Sequence, residues 1–263
     1  VGTGERYWET PGFEFEGAFH PHGFEQQTDF AVNLSSPLPW VRWTYHWGHL
    51  RLTKCLYVPT GFDEIAIVYR LEGAEAASVS LGLLPFASMR DFHGLTHSFP
   101  GGFEIKPSTD SVVISLPNGG PRLHLQAEVR SVGSRLGFKP SPDWWYGFHY
   151  REEAHRGQDC REDLFMPGWF RVSGTGLVEV VLRARAEFPW NPPEADRPAV
   201  VLAADPPSPP PIDVEDRLRQ AHERAALAAA APRSHCLLSS WPRGRLRSET
   251  VPGPAGRQGG RRC

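Results

Sequence analysis

Two stretches of the chain crowd polar and aromatic side chains together in a way that suits sugar chemistry. The first is Met89-Arg90-Asp91-Phe92-His93-Gly94-Leu95-Thr96-His97. The second, Pro142–Phe170, holds Asp143-Trp144-Trp145-Tyr146-Gly147-Phe148-His149-Tyr150, followed by Glu152, Glu153, Arg156, Asp159, Glu162 and Asp163. A pyranose ring has an apolar face of C–H bonds that stacks on an indole or phenol, and a rim of hydroxyls that takes paired hydrogen bonds from carboxylates, arginine and histidine. Trp144, Trp145, Tyr146 and Tyr150 are candidate platforms; Arg90, Asp91, His93, Glu153 and Arg156 are candidates for the rim. The same residues allow a plainer reading, in which the aromatics plug the end of a fold and the charges pair on its surface. Residue types alone leave both open.

Hydrolysis of a glycosidic bond asks for more. It needs two carboxyls about 5–5.5 Å apart for retention, or roughly 6.5–9.5 Å for inversion. Asp159, Glu162 and Asp163 cluster in sequence, as do Glu152 and Glu153, but neighbours in sequence are not thereby opposed across a bond. No catalytic residue is assigned to this chain. His20-Pro21-His22 and the pair His93 and His97 have ligand-type side chains, yet Gly94 and Pro100 argue against the helix an i, i+4 histidine pair needs, and no HExxH is present. No metal is expected. A GxGxxG opening in the body and a GxxxxGK[ST] loop are both missing, so no nucleotide cofactor is expected either. Cys160 lacks a histidine partner, and Ser88 and Ser98 lack a nucleophile-elbow context.

The elements that must position these stretches read as strands. Val41-Arg42-Trp43-Thr44-Tyr45-His46-Trp47 alternates, with Val41, Trp43, Tyr45 and Trp47 on one face. Gly48 allows a turn into Leu50–Val58. Further strands are expected at Glu64–Leu71, Ala77–Leu84, Ser111–Leu116, Arg122–Val129, Trp169–Val172 and Leu177–Ala184. Asn118-Gly119 between two of them is a strong hairpin signal. Strand after strand without interleaved helices argues for a large antiparallel β-sandwich. Pro142–Phe170 is expected to be long functional loops rather than strand. After the strands come a proline-rich spacer (Ala204–Pro211) and a helix-forming run (Val214–Ala231), with Asp213 as its N-cap. The expected division is thus residues 1–203 as the sandwich, 204–231 as linker and helix, and 232–263 as a tail.

Charge and composition narrow the class. The chain has 263 residues, 28 basic against 30 acidic, a net charge of -2 and 40% hydrophobic residues. Residues 233–263 hold seven arginines and one acid, so this tail carries +6 and the remainder -8. It has no lysine and no apolar period, and is expected to be either disordered or the product of a shifted reading frame. Nucleic-acid binding is not expected. No run of about 18 apolar residues is present, so no membrane span is expected, nor is a secretory leader. Four cysteines without CxxC spacing fit a reducing, cytoplasmic setting.

At these same two stretches the chain resembles a known family. Arg90-Asp91-Phe92-His93-Gly94-Leu95-Thr96, and the run WWY-x-F-x-Y-x-x-E-x-x-R-G-x-D-x-x-E-D-L-F-x-P-G-x-F from Trp144 to Phe170, are similar to the N-terminal domain of bacterial and archaeal glycogen debranching enzymes. Gly17-Ala18-Phe19-His20-Pro21-His22-Gly23-Phe24-Glu25 and Lys54-Cys55-Leu56-Tyr57-Val58-Pro59 resemble the same family. The likeness covers roughly residues 8–230.

The resemblance implies an amylo-α-1,6-glucosidase of two domains that removes single-glucose branch stubs from glycogen or related α-glucans. The first domain is a supersandwich-like β-sandwich and the second an (α/α)6 barrel that carries the catalytic acid and base. By that analogy Asp91, His93, Trp144, Tyr146, Tyr150, Glu153, Arg156 and Asp163 shape the substrate pocket or hold the two domains together. The chain departs from the pattern at both ends. The family's opening strands are expected upstream of Val1, and the familiar sequence stops near Pro232, before the barrel. The expected partners are therefore an α-glucan and the chain's own missing barrel. A stand-alone carbohydrate-binding module and a purely structural docking domain are the alternatives.

Overall fold

Each strand exposes a row of backbone N–H and C=O groups that must find partners, and here every pairing is antiparallel. The structure is a computed structural model and describes residues 2–3, 6–34 and 38–189. The expected spacer, linker helix Val214–Ala231 and basic tail lie outside the described residues. Within them run β1 (Gly2–Thr3), β2 (Arg6–Tyr7), β3 (Phe13–Phe15), β4 (Ala18–His20), a 3-10 turn (Gly23–Gln26), β5 (Gln27–Asn33), β6 (Trp40–Trp47), β7 (Leu50–Tyr57), β8 (Glu64–Leu83), β9 (Glu104–Pro107), β10 (Ser111–Ser115), β11 (Arg122–Val129), β12 (Arg135–His149), α1 (Arg151–His155) and β13 (Arg161–Glu187).

The thirteen strands form one hydrogen-bonded sheet that does not close into a barrel. Two long strands make it a sandwich. β8 pairs with β7 over Ala66–Glu72, then with β1 at Ser80. β13 pairs with β12 over Arg161–Ser173, then with β11 over Val180–Glu187. Each therefore passes from one layer into the other, and their mutual register slips at Gly174 and Gly176. Gly73 lies at the same bend with φ +92°, and a Cβ there would strike the His49 carbonyl oxygen. The strands expected separately at Glu64–Leu71 and Ala77–Leu84 are thus one strand, as are Trp169–Val172 and Leu177–Ala184.

Residues from both layers share one core. Tyr45, Trp47, Leu50, Leu52 and Leu71 pack with Val79, Leu81, Phe165, Phe170 and Val172. The alternation expected in β6 holds for this face. Its other face is buried too: Trp40, Cys55, Tyr57, Ala66, Val68 and Val181 form a second cluster. The β10–β11 hairpin forms as expected, with positive φ at Gly119 and Gly120 rather than at Asn118.

One expectation is corrected. Pro142–Phe170 is not a set of loops but the end of β12, the short α1 and the start of β13. Its turn-forming residues are absorbed where the β12–β13 register shifts, between Pro140 and Asp143 and between Trp145 and Phe148. Met89–His97, by contrast, has no regular structure.

Candidate functional site

Ser88–Thr96 arches away from β13 and returns to it. At one foot Ala87 exchanges backbone hydrogen bonds with Phe165 (2.8 and 3.0 Å); at the other the Asp163 N–H donates to the Thr96 carbonyl (2.8 Å). The Thr96 hydroxyl closes the neck by donating to the Ser88 carbonyl at 2.5 Å. A compact loop with joined ends is a common carrier of function. Met89 takes the turn at the start with φ +47°, a left-handed conformation uncommon outside glycine.

A buried acid props the arch from below. Glu162 is 1% exposed. Its carboxylate accepts from Arg90 Nε (2.5 Å) and Nη2 (3.2 Å), the Tyr150 hydroxyl (2.5 Å) and the Thr96 backbone N–H (3.0 Å). Burial pushes the Glu162 carboxyl up, but the bonds from Arg90, Tyr150 and Thr96 outweigh it and hold the carboxyl below the usual glutamate range. The same contact raises the Arg90 guanidinium. Burial, then the bond to Glu162, push the Tyr150 phenol up to about 12. Glu162 is thus an ionised anchor whose acceptor sites are taken, not a proton donor.

Arg90 also fixes the crown of the arch, donating to the carbonyls of Asp91 (3.0 Å) and Phe92 (3.4 Å). Asp91 does the complementary work: Oδ1 accepts the N–H groups of His93 (2.8 Å) and Gly94 (2.7 Å). Those two bonds hold its carboxyl below the ordinary aspartate value. Carbonyls and amides of the crown are therefore tied down from opposite sides. What is left pointing outward is Phe92, 90% exposed, with the His93 ring edge-on to it at 5.1 Å.

The remaining expected site residues divide three ways. Asp163 bridges the arch to β12, accepting from the Ser98 N–H (2.9 Å) and the Gly147 N–H (3.0 Å). Burial raises its carboxyl, and these bonds more than offset it, so the net direction is down. Tyr150 reaches inward to Glu162, whereas Tyr146 on β12 is 61% exposed. Glu153 and Arg156 pair with each other at 2.8 Å on and just after α1, on the surface. Trp144 packs among Phe99, Phe103 and Phe165, with ring centroids 5.3–5.5 Å away. Trp145, on the opposite face of β12, packs against Phe13 and Phe86, which in turn meet Phe148.

Residue types did not single out Glu162 or Thr96. The only signal for Glu162 was its place in an acidic cluster, where nothing distinguishes the acid that will be buried. A second clamp lies alongside. Arg151 pairs with Glu14 (2.8 Å) and Arg161 with Glu16, tying the β3–β4 hairpin to both ends of the α1 segment. Among the described residues no group of three His, Cys, Asp or Glu side chains is placed to hold a metal ion. Among them, too, no helix is long and apolar enough to cross a membrane.

The arch and the β12–β13 hairpin both fall within residues 5–180, which match the model of the glycogen debranching enzyme N-terminal family. The chain belongs to that family. No curated protein matches it. Solved structures similar to the chain include the heparan sulfate lyase HepC of Pedobacter heparinus and a mutant of it. Each aligns at 11% identity and a TM-score of 0.39 over 64% of this chain and 22% of that one. The chain thus spans about a fifth of the length of those structures. Membership makes the chain a domain of a glycan-active enzyme family, with the arch and its buried clamp as its candidate site.

Proposed function

We propose that this chain is the substrate-framing domain of a glycogen debranching enzyme, whose catalytic (α/α)6 barrel hydrolyses α-1,6-glucosidic branch stubs. In this reading residues 1–203 form the sandwich, 204–231 lead to the barrel, and 232–263 take no part. The observation that carries it is the arch. Its crown is immobilised by Arg90 and Asp91, so an almost fully exposed Phe92 and its neighbour His93 are presented in one fixed arrangement. Exposing a large aromatic on a pre-organised loop is what a stacking surface for a sugar ring, or an anchor for a facing domain, requires.

Phe92, His93 and Tyr146 meet the glucan or the barrel directly, and Arg156, with Glu153 beside it, borders them. Tyr150 and Asp163 act through the arch by holding its feet. In this reading the catalytic acid and base come from the barrel.

The test is titration of the chain with glycogen and with a branched maltooligosaccharide, for the wild type and for Phe92→Ala and Tyr146→Ala. Weak binding that either substitution abolishes, with an unchanged melting curve, supports the framing role. Binding that both variants retain in full overturns it. Tight binding by the isolated chain, lost in the variants, favours a stand-alone carbohydrate-binding module instead.

A further inference from the structure

The larger layer is buried on both faces, and only one of them meets the smaller layer. Tyr45, Leu52 and Leu71 point into the shared core. Register sets three rows on the opposite face: Trp40–Tyr57–Ala66, Arg42–Cys55–Val68–Val181 and Thr44–Thr53–Arg70–Glu179. Cys55, Ala66, Val68 and Val181 are 0% exposed there, Tyr57 3% and Trp40 5%. Side chains on one face of a sheet stand side by side with their tips outward, so they cannot seal one another. The apolar residues that pack against this cluster among the described residues, Ala31 and Leu38, belong to β5 and to the segment entering β6. Ion pairs border the patch, Arg70 with Glu179 on one side and Arg183 with Glu64 on the other. A buried apolar centre inside a charged rim is the anatomy of an occupied interface.

The occupant can be narrowed. A single copy of the chain buries these side chains, so the cover is part of the same molecule. Residues 35–37 are too few to span the face, and β1, beside residues 1, 4 and 5, pairs with the far end of β8 at Ser80. That leaves the chain beyond Pro189. The first compact unit runs from Val1 to Pro210, so residues 190–210 belong with the sandwich. β13 delivers them to this face: Arg183 lies opposite Ala66, and the strand therefore leaves the sheet at the Trp40–Tyr57 end. Pro192, Pro193 and Pro198 cannot continue its ladder. Ala199-Val200-Val201-Leu202-Ala203 then forms an apolar run. The ten residues from Pro189 to Ala199 reach about 33 Å, whereas β13 and β6 are three strand spacings apart, roughly 15 Å.

We propose that residues 190–210 fold back over the sandwich as a strap, with residues 199–203 lying across the Trp40–Cys55–Val68 face and sealing it. The strap makes this face a second interior and carries the domain past the end of β13. This holds whether or not a catalytic barrel follows.

Cys55 reports the cover. With Cys160, Cys236 and Cys263 replaced by serine in the full chain, Cys55 is the one thiol left, and a buried thiol reacts only when its cover opens. It should resist a maleimide under native conditions. Neighbours in an extended run point to opposite sides, so one of Val201→Asp and Leu202→Asp should speed the labelling at least about tenfold. Leu227→Asp, beyond Pro210, should leave Cys55 protected. In the same background Val200→Cys, Val201→Cys and Leu202→Cys are each oxidised with copper–phenanthroline, and at least one should form a disulfide with Cys55, seen by mass spectrometry. The crosslinks decide the matter if the aspartate variants fail to fold. Free labelling of Cys55 before any strap substitution, protection unchanged in both folded aspartate variants, loss of protection in Leu227→Asp, or no disulfide from any of the three positions overturns the proposal.

Discussion

The guanidinium of Arg90 grips the Glu162 carboxylate through two parallel hydrogen bonds, at 2.5 and 3.2 Å, across 72 residues of sequence. Paired geometry of this kind is stronger and more directional than a point contact. It ties the crown of the Ser88–Thr96 arch to β13, and so to the core. The shape of the exposed loop is set by an acid that solvent does not reach.

Replacing that acid should be expensive. Glu162→Gln removes the charge and leaves the Arg90 guanidinium facing a neutral amide. Breaking a buried pair by changing one partner costs about 3–5 kcal/mol. Arg90 keeps 27% of its side chain in water and recovers part of its hydration, so roughly 2–3 kcal/mol is expected. For a domain of this size that is a melting-temperature fall of roughly 5–10 °C, readable by calorimetry. A shift below 1 °C would show that the clamp does not stabilise the fold.

Tyr150→Phe deletes one hydroxyl and keeps the ring. A hydrogen bond to a charged group contributes about 1.5–3 kcal/mol, and with three donors remaining on Glu162 the lower end is expected. Because both residues act on one carboxylate, Glu162→Gln and Tyr150→Phe should not add: the double variant should be less destabilised than the sum, by roughly 0.5–1 kcal/mol. A double-mutant cycle in urea measures that difference.

Acid should dismantle the clamp. An unfolded glutamate titrates near about 4.3, and folded Glu162 titrates lower. Between those values the unfolded chain holds a proton that the folded one does not, so lowering the pH favours unfolding. The stabilisation is complete above the unfolded value and disappears as the pH falls through the folded one. Asp91 and Asp163 shift in the same direction. At the alkaline end the sign reverses. Tyr150, pushed up to about 12, contributes stability that is intact below the unfolded phenol value of about 10 and is lost as the pH climbs past it. Urea midpoints against pH should form a plateau with two flanks. Glu162→Gln should flatten the acid flank and Tyr150→Phe part of the alkaline one.

What the sequence displays about this fold is what local pattern controls. Alternation in Trp40–Trp47 and the glycines at 119 and 120 mark a strand and a hairpin because side-chain period and positive φ are local properties. The β12 segment was hidden for the opposite reason. Pro140, Pro142 and Gly147 carry turn signals, and only pairing with β13 turns them into bulges in a strand. That β8 and β13 each serve both layers was equally hidden, since Gly73 and Gly174 look like breaks until the two strands cross them together. At the site, Asp91, His93 and Tyr150 stood out by type and density, and Asp163 only through the family resemblance. Glu162 did not stand out, because its partner Arg90 lies 72 residues away in sequence. Burial of an acid is a tertiary fact.

Trp144 separates an aromatic's packing from its polar tip. Its ring lies within 5.3–5.5 Å of Phe99, Phe103 and Phe165. Its indole nitrogen is buried without a hydrogen-bond partner and lies close to the Gly102 backbone. A buried unsatisfied donor costs about 1–3 kcal/mol, and loss of the larger ring by truncation to alanine about 3–5 kcal/mol. Trp144→Phe keeps most of the packing and removes the stranded N–H, so the two effects nearly cancel and a change within about 1 kcal/mol is expected. Trp144→Ala should bring the full loss and loosen Phe99 and Phe103 with it. Denaturant unfolding of the two variants checks both numbers. A phenylalanine variant as damaged as the alanine one would mean that the indole N–H does find a partner, and that Trp144 holds the fold through its polar tip as well as its ring.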